Sequence, residues 1–199
     1  RGRAHRPRRP QAWNAARRFQ GHSDVALNDK GRAQAAANGT ALRETLGDVG
    51  QPRAITSPLS RATETLEIIR ESMGLPRRRY RIDDRLIEID LGLWNGRTYD
   101  DIRQSEPEEA ERRDHRKWDY APPGGESYAA AAARVRAFLL ELASERPQAT
   151  LIVGHGASGR ILRAYLTGEK RKRAPYMQAP HDRVFHIEGG REHEIIPRY

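Results

Sequence analysis

Apolar residues recur along this chain at two spacings that alternate from about residue 28 to the C-terminus. Apolar positions three or four residues apart predict helices, and short apolar runs bounded by Gly, Pro or Ser predict strands. The predicted helices are 29–46, 61–73, 98–113, 128–145 and 156–166. The predicted strands and extended segments are 54–57, 80–88, 151–153, 183–187 and 192–196. Helices and strands therefore follow one another through most of the sequence.

Small polar residues and glycines mark where several of these helices begin and end. Asn28, Ser60 and Ser127 are predicted N-caps, because their side chains accept hydrogen bonds from the free N–H groups of a first turn. Gly47 and Gly74 are predicted stops, since glycine readily adopts the backbone conformation that closes many helices. These signals define the ends of the helices more sharply than the apolar spacing does.

The alternation of strands with helices predicts an α/β fold. We expect a single-domain three-layer sandwich, with a mostly parallel central sheet and helices on both faces. The run 151–153 is apolar throughout, as expected of a strand that is covered on both faces. A length of 199 residues suits one well-packed domain. We therefore predict an atypical basic segment over 1–12 and one domain over 13–199.

The positive charge of the chain is concentrated near its N-terminus. The formal net charge is +9, but residues 1–20 hold seven arginines and no acidic residue, whereas the remainder is close to neutral. A second basic run at 170–173 is predicted to be an exposed loop, and a solvated surface explains it better than a nucleic-acid patch. We therefore expect no nucleic-acid partner.

The composition also limits which kinds of site the chain can form and in which cellular compartment we expect it. The chain has no cysteine, which excludes disulfides, thiolate metal ligands and a cysteine nucleophile. Its apolar runs are too short for a transmembrane helix, and no apolar stretch follows the basic start as in a secretory signal. We expect a cytoplasmic protein without a membrane partner, and the oligomeric state stays open.

His155 is the first candidate for chemistry. It ends an apolar strand and directly precedes a helix, and the carboxyl ends of strands are where open α/β sheets bind ligands. The N-terminus of that helix would direct N–H groups and partial positive charge at a phosphate. Gly154 and Gly156 on either side permit the close approach of a ligand. The alternative is a histidine that only connects strand and helix.

Arg61 and Glu88 are the next candidates. Arg61 follows another predicted strand end, and a guanidinium holds two phosphate oxygens at once. Glu88 ends an extended segment, and a partly buried carboxylic acid can protonate a leaving alkoxide. Taken alone, each is equally consistent with an ordinary surface residue.

Asn14, Gln20 and Gly21 form a weaker group of candidates near the N-terminus. Neutral donors in a glycine-containing loop can bind phosphate or substrate, although such residues are common in loops. Trp94 is interpreted as a packing residue. No spacing of Asp, Glu and His suggests a metal site and no glycine-rich nucleotide loop is present, so we expect no metal and no cofactor.

Six motifs, in order and in register, resemble those of the histidine phosphatase superfamily, also called phosphoglycerate-mutase-like. The resemblance runs from Trp13 to about Leu166. The motifs are Trp13-Asn14 followed by RFQGHSD, LNDKGRAQA at 27–35, SPLSRATET at 57–65, ExxxGxWxG at 88–96, PPGGES at 122–127 and VGHG at 153–156. One such motif would be weak evidence, whereas six in register strongly indicate the fold.

The resemblance implies a phosphomonoester hydrolase that acts through a phosphohistidine intermediate on a small phosphorylated substrate. One histidine attacks phosphorus, a second histidine and two arginines hold the phosphoryl oxygens, and a glutamate protonates the leaving group. Carried over to this sequence, His155 is the second histidine, Arg61 the second arginine and Glu88 the proton donor. Asn14, Gln20, Gly21 and Gly156 are then implied to lie around the phosphate and the substrate. The length of the chain favours hydrolysis over mutase activity by resemblance alone.

The sequence departs from the family at the attacking histidine. The family opens with an apolar strand followed by Arg-His-Gly-x-Thr just before the position of Trp13. Counting back from Trp13 without a gap places Arg8 at the nucleophile position, where a guanidinium cannot attack phosphorus. His5 lies three residues too early, and the charges and prolines of residues 1–9 disfavour a central buried strand.

Three explanations of this departure are open. The protein is a non-catalytic pseudophosphatase that binds phosphorylated ligands or partners, or the segment is an artefact such as a local frame error, or His5 reaches the site by an irregular path. The chain as written is expected to be impaired as an enzyme.

Overall fold

The computed structural model describes residues 18–47 and 50–198. Helices and strands alternate along these residues, as predicted. The helices are α1 (Asp29–Leu46), α2 (Ser60–Ser72), α3 (Tyr99–Ser105), α4 (Pro107–His115), α5 (Tyr128–Ser144) and α6 (Gly156–Thr167). The strands are β1 (Arg53–Thr56), β2 (Arg81–Ile82), β3 (Thr150–Val153), β4 (Val184–Glu188) and β5 (Arg191–Ile195). Short 3-10 helices cover Asp84–Leu86, Gly92–Trp94 and Arg171–Tyr176.

Three parallel strands form a sheet in the order β2, β1, β3. Successive side chains of a strand point to opposite faces of its sheet. Accordingly, Ile55 of β1 packs in a cluster with α5 and α6, whereas its neighbour Ala54 packs in a second cluster with α1 and α2. The predicted α/β sandwich, with helices on both faces of a parallel sheet, is confirmed.

The caps of α1 and α5 form as predicted, whereas the cap of α2 does not. Asn28 Oδ1 accepts a hydrogen bond from the Gly31 N–H at 2.8 Å, and Ser127 Oγ accepts one from the Ala130 N–H at 3.1 Å. Ser60 is instead the first residue of α2, and Leu59 is its N-cap. The Ser60 hydroxyl donates to Asp24 Oδ1 at 2.7 Å, so a partner distant in sequence takes the group that would have capped the helix.

Three other predicted segments differ in detail. The single helix expected over 98–113 is two helices, α3 and α4, which meet at Pro107 because proline has no N–H with which to continue α3. The extended segment 80–88 is a strand only over β2, and the Asp83 side chain then caps a 3-10 turn. The basic run 170–173 is exposed as expected, but residues 171–173 are not a loop: they begin the 3-10 helix Arg171–Tyr176, in which Ala174 and Pro175 are buried.

The C-terminal hairpin is confirmed. β4 and β5 pair antiparallel, with His186 opposite His193, and the turn lies at Gly189 and Gly190. Both glycines have positive φ, 55° and 77°, as tight hairpin turns require. Ile195 anchors the hairpin in the cluster formed by α1 and α2.

Trp94 packs as the sequence analysis expected. Its side chain is buried in a small cluster with Ile102 and Ala110, and its indole N–H donates to Glu106 Oε2 at 3.1 Å. This cluster attaches α3 and α4 to the 3-10 turn that follows Glu88. Residues 1–12, for which a basic segment outside regular structure was predicted, lie outside the described residues. In the ranges described, no helix is both long and apolar enough to cross a membrane.

Candidate active site

The carboxyl ends of β1 and β3 bring Ser57 and His155 together. The two strands pair in parallel, with Thr56 opposite Val153, so the residues that follow them leave the sheet at the same edge. His155 Nε2 and Ser57 Oγ are 2.6 Å apart, within hydrogen-bonding distance. Ser57 is fully buried, and its hydroxyl therefore fixes the orientation of the imidazole. The sequence analysis did not assign Ser57 a role, although its place directly after a strand end was a usable signal.

The environment of His155 keeps its imidazole neutral. Burial lowers the pKa of His155 to about 3, and the charges of Arg61 and Arg134 act in the same direction. A neutral imidazole carries one N–H and one lone pair, so only one of its two ring nitrogens can donate a hydrogen bond at a time. The arrangement suits a group that holds a phosphoryl oxygen near neutral pH without carrying a charge itself.

Arg61 lies in the first turn of α2 and braces the loop that contains Gln20 and Gly21. Its two terminal nitrogens donate to the carbonyl oxygens of Ser23 at 2.7 Å and Gly21 at 2.9 Å. Burial lowers the pKa of Arg61, while the nearby charges of Glu88 and Asp24 oppose that shift. A guanidinium has five N–H groups, so three remain for an anion after the two loop bonds.

Glu88 sits on the N-terminus of α6. Its carboxylate accepts hydrogen bonds from the N–H groups of Ala157 at 3.1 Å, Ser158 at 3.3 Å and Ile89 at 2.9 Å. The sequence analysis expected this helix N-terminus to face a phosphate, but those two helix N–H groups bind the glutamate instead. A carboxylate at that position is stabilised by the helix dipole, which explains the arrangement. Gly156 lies alongside, where an added Cβ would be 3.5 Å from Glu88 Oε2.

Arg134 of α5 holds the backbone that carries Glu88. Its terminal nitrogens donate to the Arg85 carbonyl at 2.7 Å and the Glu88 carbonyl at 3.3 Å. Glu126 pairs with the same guanidinium at 2.9 Å and balances its charge. The sequence analysis missed Arg134, because an arginine within an amphipathic helix carries no local sign of a distant carbonyl partner.

A group of cations lies near Glu88, since a Cβ added at Gly156 would be 3.5 Å from Glu88 Oε2 and 4.0 Å from Arg160 Nη1. Arg160 of α6 donates to the Tyr128 hydroxyl at 3.0 Å and to the Met177 carbonyl at 2.8 Å. Burial lowers the pKa of Lys117, and the charges of Arg113 and Arg160 lower it further. This wall, formed by Arg113, Lys117 and Arg160, is an electropositive surface beside the candidate site.

The structure brings most of the predicted site residues to one end of the sheet. Arg61, Glu88 and His155 interact electrostatically, and Gly156 lies between His155 and the part of α6 that binds Glu88. Gln20 and Gly21 form the loop that Arg61 braces, and the Gln20 carbonyl accepts from the Ser23 N–H at 2.8 Å. Asn14 lies outside the described residues. Within those residues, no group of three or more His, Asp or Glu side chains could hold a metal ion.

Comparison with known proteins shows which family this chain resembles. The family model described as histidine phosphatase superfamily (branch 1) matches residues 10–198. A 2,3-bisphosphoglycerate-dependent phosphoglycerate mutase from Azorhizobium caulinodans is 38% identical over 155 residues, which cover 75% of this chain and 73% of that protein. A 6-phosphofructo-2-kinase/fructose-2,6-bisphosphatase from Gallus gallus is 32% identical over 157 residues; the match covers 79% of this chain and only 31% of that longer protein.

Solved structures agree with the sequence comparison. The native structure of a mycobacterial glucosyl-3-phosphoglycerate phosphatase superposes with a TM-score of 0.69 at 32% identity, covering 83% of this chain and 79% of that one. An alpha-ribazole phosphatase from Shigella flexneri shares the fold with a TM-score of 0.76 at 24% identity, covering 92% of this chain and 89% of that one.

Proposed function

Because this chain belongs to the histidine phosphatase superfamily, we propose that its site is built to bind and hydrolyse a small phosphomonoester. In this proposal Arg61 and His155 hold the phosphoryl oxygens, and Glu88 protonates the oxygen of the leaving alcohol. Its relatives are phosphatases and mutases, which also act on phosphomonoester bonds. Gln20 and Gly21 border the phosphate from the loop that Arg61 braces.

The observation that carries the proposal is the convergence of three different groups at one sheet edge. A phosphoryl group needs a forked cation, and Arg61 keeps three N–H groups for that purpose. It also needs a second hydrogen-bond donor that can lie close to the Arg61 guanidinium without charge repulsion. A neutral His155 fulfils that condition. Glu88, fixed by main-chain N–H groups beside His155, is placed to serve the leaving oxygen.

The attacking group is the part of the family's machinery that we do not identify in this sequence. An ungapped count back from Trp13 puts the family's histidine at position 8, which is an arginine here, and the family match begins at residue 10. We therefore propose that the chain as written binds phosphate-like anions but turns over slowly, since an arginine cannot form the phosphohistidine. The second candidate function, a pseudophosphatase that binds phosphorylated ligands or partners, is favoured by the same arginine.

Vanadate titration of the unaltered chain tests the binding half of this proposal. Vanadate is expected to bind competitively with inorganic phosphate, because Arg61 and His155 remain in place without the nucleophile. Arg61→Gln should weaken binding by about tenfold or more, the worth of a charged hydrogen bond. Arg43→Gln, which removes an exposed arginine from α1, is the matched control and should have no effect. Equal affinity of the Arg61→Gln variant and the wild type would contradict the proposal.

The cationic wall indicates the class of substrate. Arg160 lies close to Glu88, where the leaving group would sit, and Arg113 and Lys117 lie close enough to Arg160 to interact with it electrostatically. Burial strengthens the field of such charges. We propose a substrate with a second anionic group on its leaving portion. The names of two relatives, a phosphoglycerate mutase and a glucosyl-3-phosphoglycerate phosphatase, describe substrates of this kind.

Lys117→Met tests this substrate class without touching the phosphate-binding groups. We expect the affinity for 3-phosphoglycerate, measured by competition with vanadate, to fall about tenfold, because one charged contact is lost. The affinity for phenyl phosphate should stay within about twofold, since its leaving group carries no charge. Lys172→Met, which removes an exposed lysine elsewhere, serves as the control. Parallel losses for both ligands would show that Lys117 acts on the phosphate alone or on folding.

A further inference from the structure

A cavity lies away from the candidate active site, between α5, α6 and the 3-10 helix Arg171–Tyr176. Its volume is about 240 Å³, and the side chains of Trp118 and Tyr165 form two of its walls. The α5 wall consists of three alanines, Ala129, Ala132 and Ala133. Because these three residues carry only methyl groups, a space is left that larger side chains would fill.

The remaining walls are two arginines, Arg136 and Arg171, both exposed at the mouth of the cavity. Throughout 18–47 and 50–198, no carboxylate pairs with either guanidinium, and no carboxylate lines the cavity. Two nearby arginines behave differently, since Arg134 of α5 pairs with Glu126 and Arg163 of α6 pairs with Glu192. The cavity therefore joins aromatic walls to two cations that have no partner acid among the described residues.

We propose that this cavity binds a small planar organic anion, in which one aromatic ring packs on Trp118 and Tyr165 and an anionic group binds Arg136 and Arg171. Flat aromatic surfaces favour a planar ring, and guanidinium groups bind carboxylates through paired N–H donors. A volume near 240 Å³ is below the range of drug-sized sites, so it suits a single ring with one anionic substituent. The basic run at 170–173 contributes Arg171 and supplies further positive potential.

The cavity is separate from the candidate active site. Tyr165 follows His155 by ten residues along α6, which corresponds to about 15 Å of helix. Trp118 connects the two regions, since its ring centre lies 6.4 Å from that of Tyr128, whose hydroxyl accepts from Arg160. The proposed binding does not depend on the phosphatase function.

The test is a titration of the full chain, labelled with 5-fluorotryptophan, followed by fluorine NMR. The chain has three tryptophans, and a Trp118→Phe variant assigns the relevant resonance. Benzoate is the probe, and phosphate buffer keeps the catalytic anion position occupied. We expect benzoate to shift the Trp118 resonance saturably and to leave that of the buried Trp94 in place.

Variants decide which groups bind the probe. The double variant Arg136→Gln/Arg171→Gln should weaken benzoate binding by about tenfold or more, and Ala133→Leu should abolish it by filling the space. The double variant Arg191→Gln/Arg198→Gln removes the same charge from exposed sites elsewhere and should bind like the wild type. Three results would each overturn the proposal: no saturable Trp118 shift, equal losses in both double variants, or equal binding of cyclohexanecarboxylate and benzoate.

Discussion

Replacing residues 1–11 by an apolar strand that ends in Arg-His-Gly-Glu-Thr, with Ala12 onward unchanged, is expected to produce phosphatase activity. The change places a histidine at position 8, where the count back from Trp13 puts the attacking histidine of the family. Turnover of an aryl phosphate should rise from background towards about 10 s⁻¹, a typical value for enzymes. The measurement is steady-state hydrolysis, together with acid-labile labelling that detects phosphohistidine.

The matched control for this replacement carries the same apolar strand but ends in Arg-Gln-Gly-Glu-Thr. It should fold as well and bind vanadate as well, yet remain inactive, since glutamine cannot attack phosphorus. A repaired chain that folds, binds vanadate and still forms no phosphohistidine would contradict the hydrolase proposal. The pseudophosphatase alternative would then be the better description of this protein.

Glu88→Gln and His155→Ala in the repaired chain are expected to lower its turnover by about 10²–10⁴-fold, the usual contribution of a positioned proton donor or charge-stabilising group. Glutamine keeps the size of Glu88 and one acceptor for the N–H groups of α6 but cannot donate the carboxylic proton. His155→Ala removes the neutral imidazole that forms a hydrogen bond with Ser57.

Leaving-group dependence separates the role of Glu88 from a merely structural one. Glu88→Gln should lose most activity on alkyl phosphates and much less on p-nitrophenyl phosphate, whose leaving oxygen needs no proton. Glu111→Gln removes an exposed carboxylate from α4 and serves as the control. Equal losses on both substrates would show that Glu88 maintains the N-terminus of α6 and does not transfer the proton.

Most of the fold could be predicted from the sequence, because helix caps and hairpin turns depend on residues that are close together in the chain. Asn28 caps α1 through a bond to Gly31, three residues away, and the hairpin turns at two glycines that accept positive φ. The carboxyl ends of two predicted strands also placed Arg61 and His155 near one edge of a parallel sheet. Arg61 and His155 could therefore be identified as candidates from the sequence, whereas Ser57 and Arg134 were not identified.

Features that depend on partners distant in sequence could not be predicted in this way. Ser60 fails to cap α2 because Asp24, from another loop, binds its hydroxyl. Arg134 donates to the carbonyl of Glu88, which is 46 residues away in the sequence. The sequence around either residue does not indicate this contact.

The sequence by itself determined the α/β class, the order of the elements and the identity of the groups available for phosphate chemistry, since these follow from periodicity, caps and motifs. Only the tertiary structure decided how those groups are used. It placed Glu88, and not an open anion site, on the first N–H groups of α6, and it buried His155 so that its pKa falls to about 3. The physical reason is that burial and electrostatic interaction depend on distances between chain segments, and those distances are set only when the helices pack on the sheet.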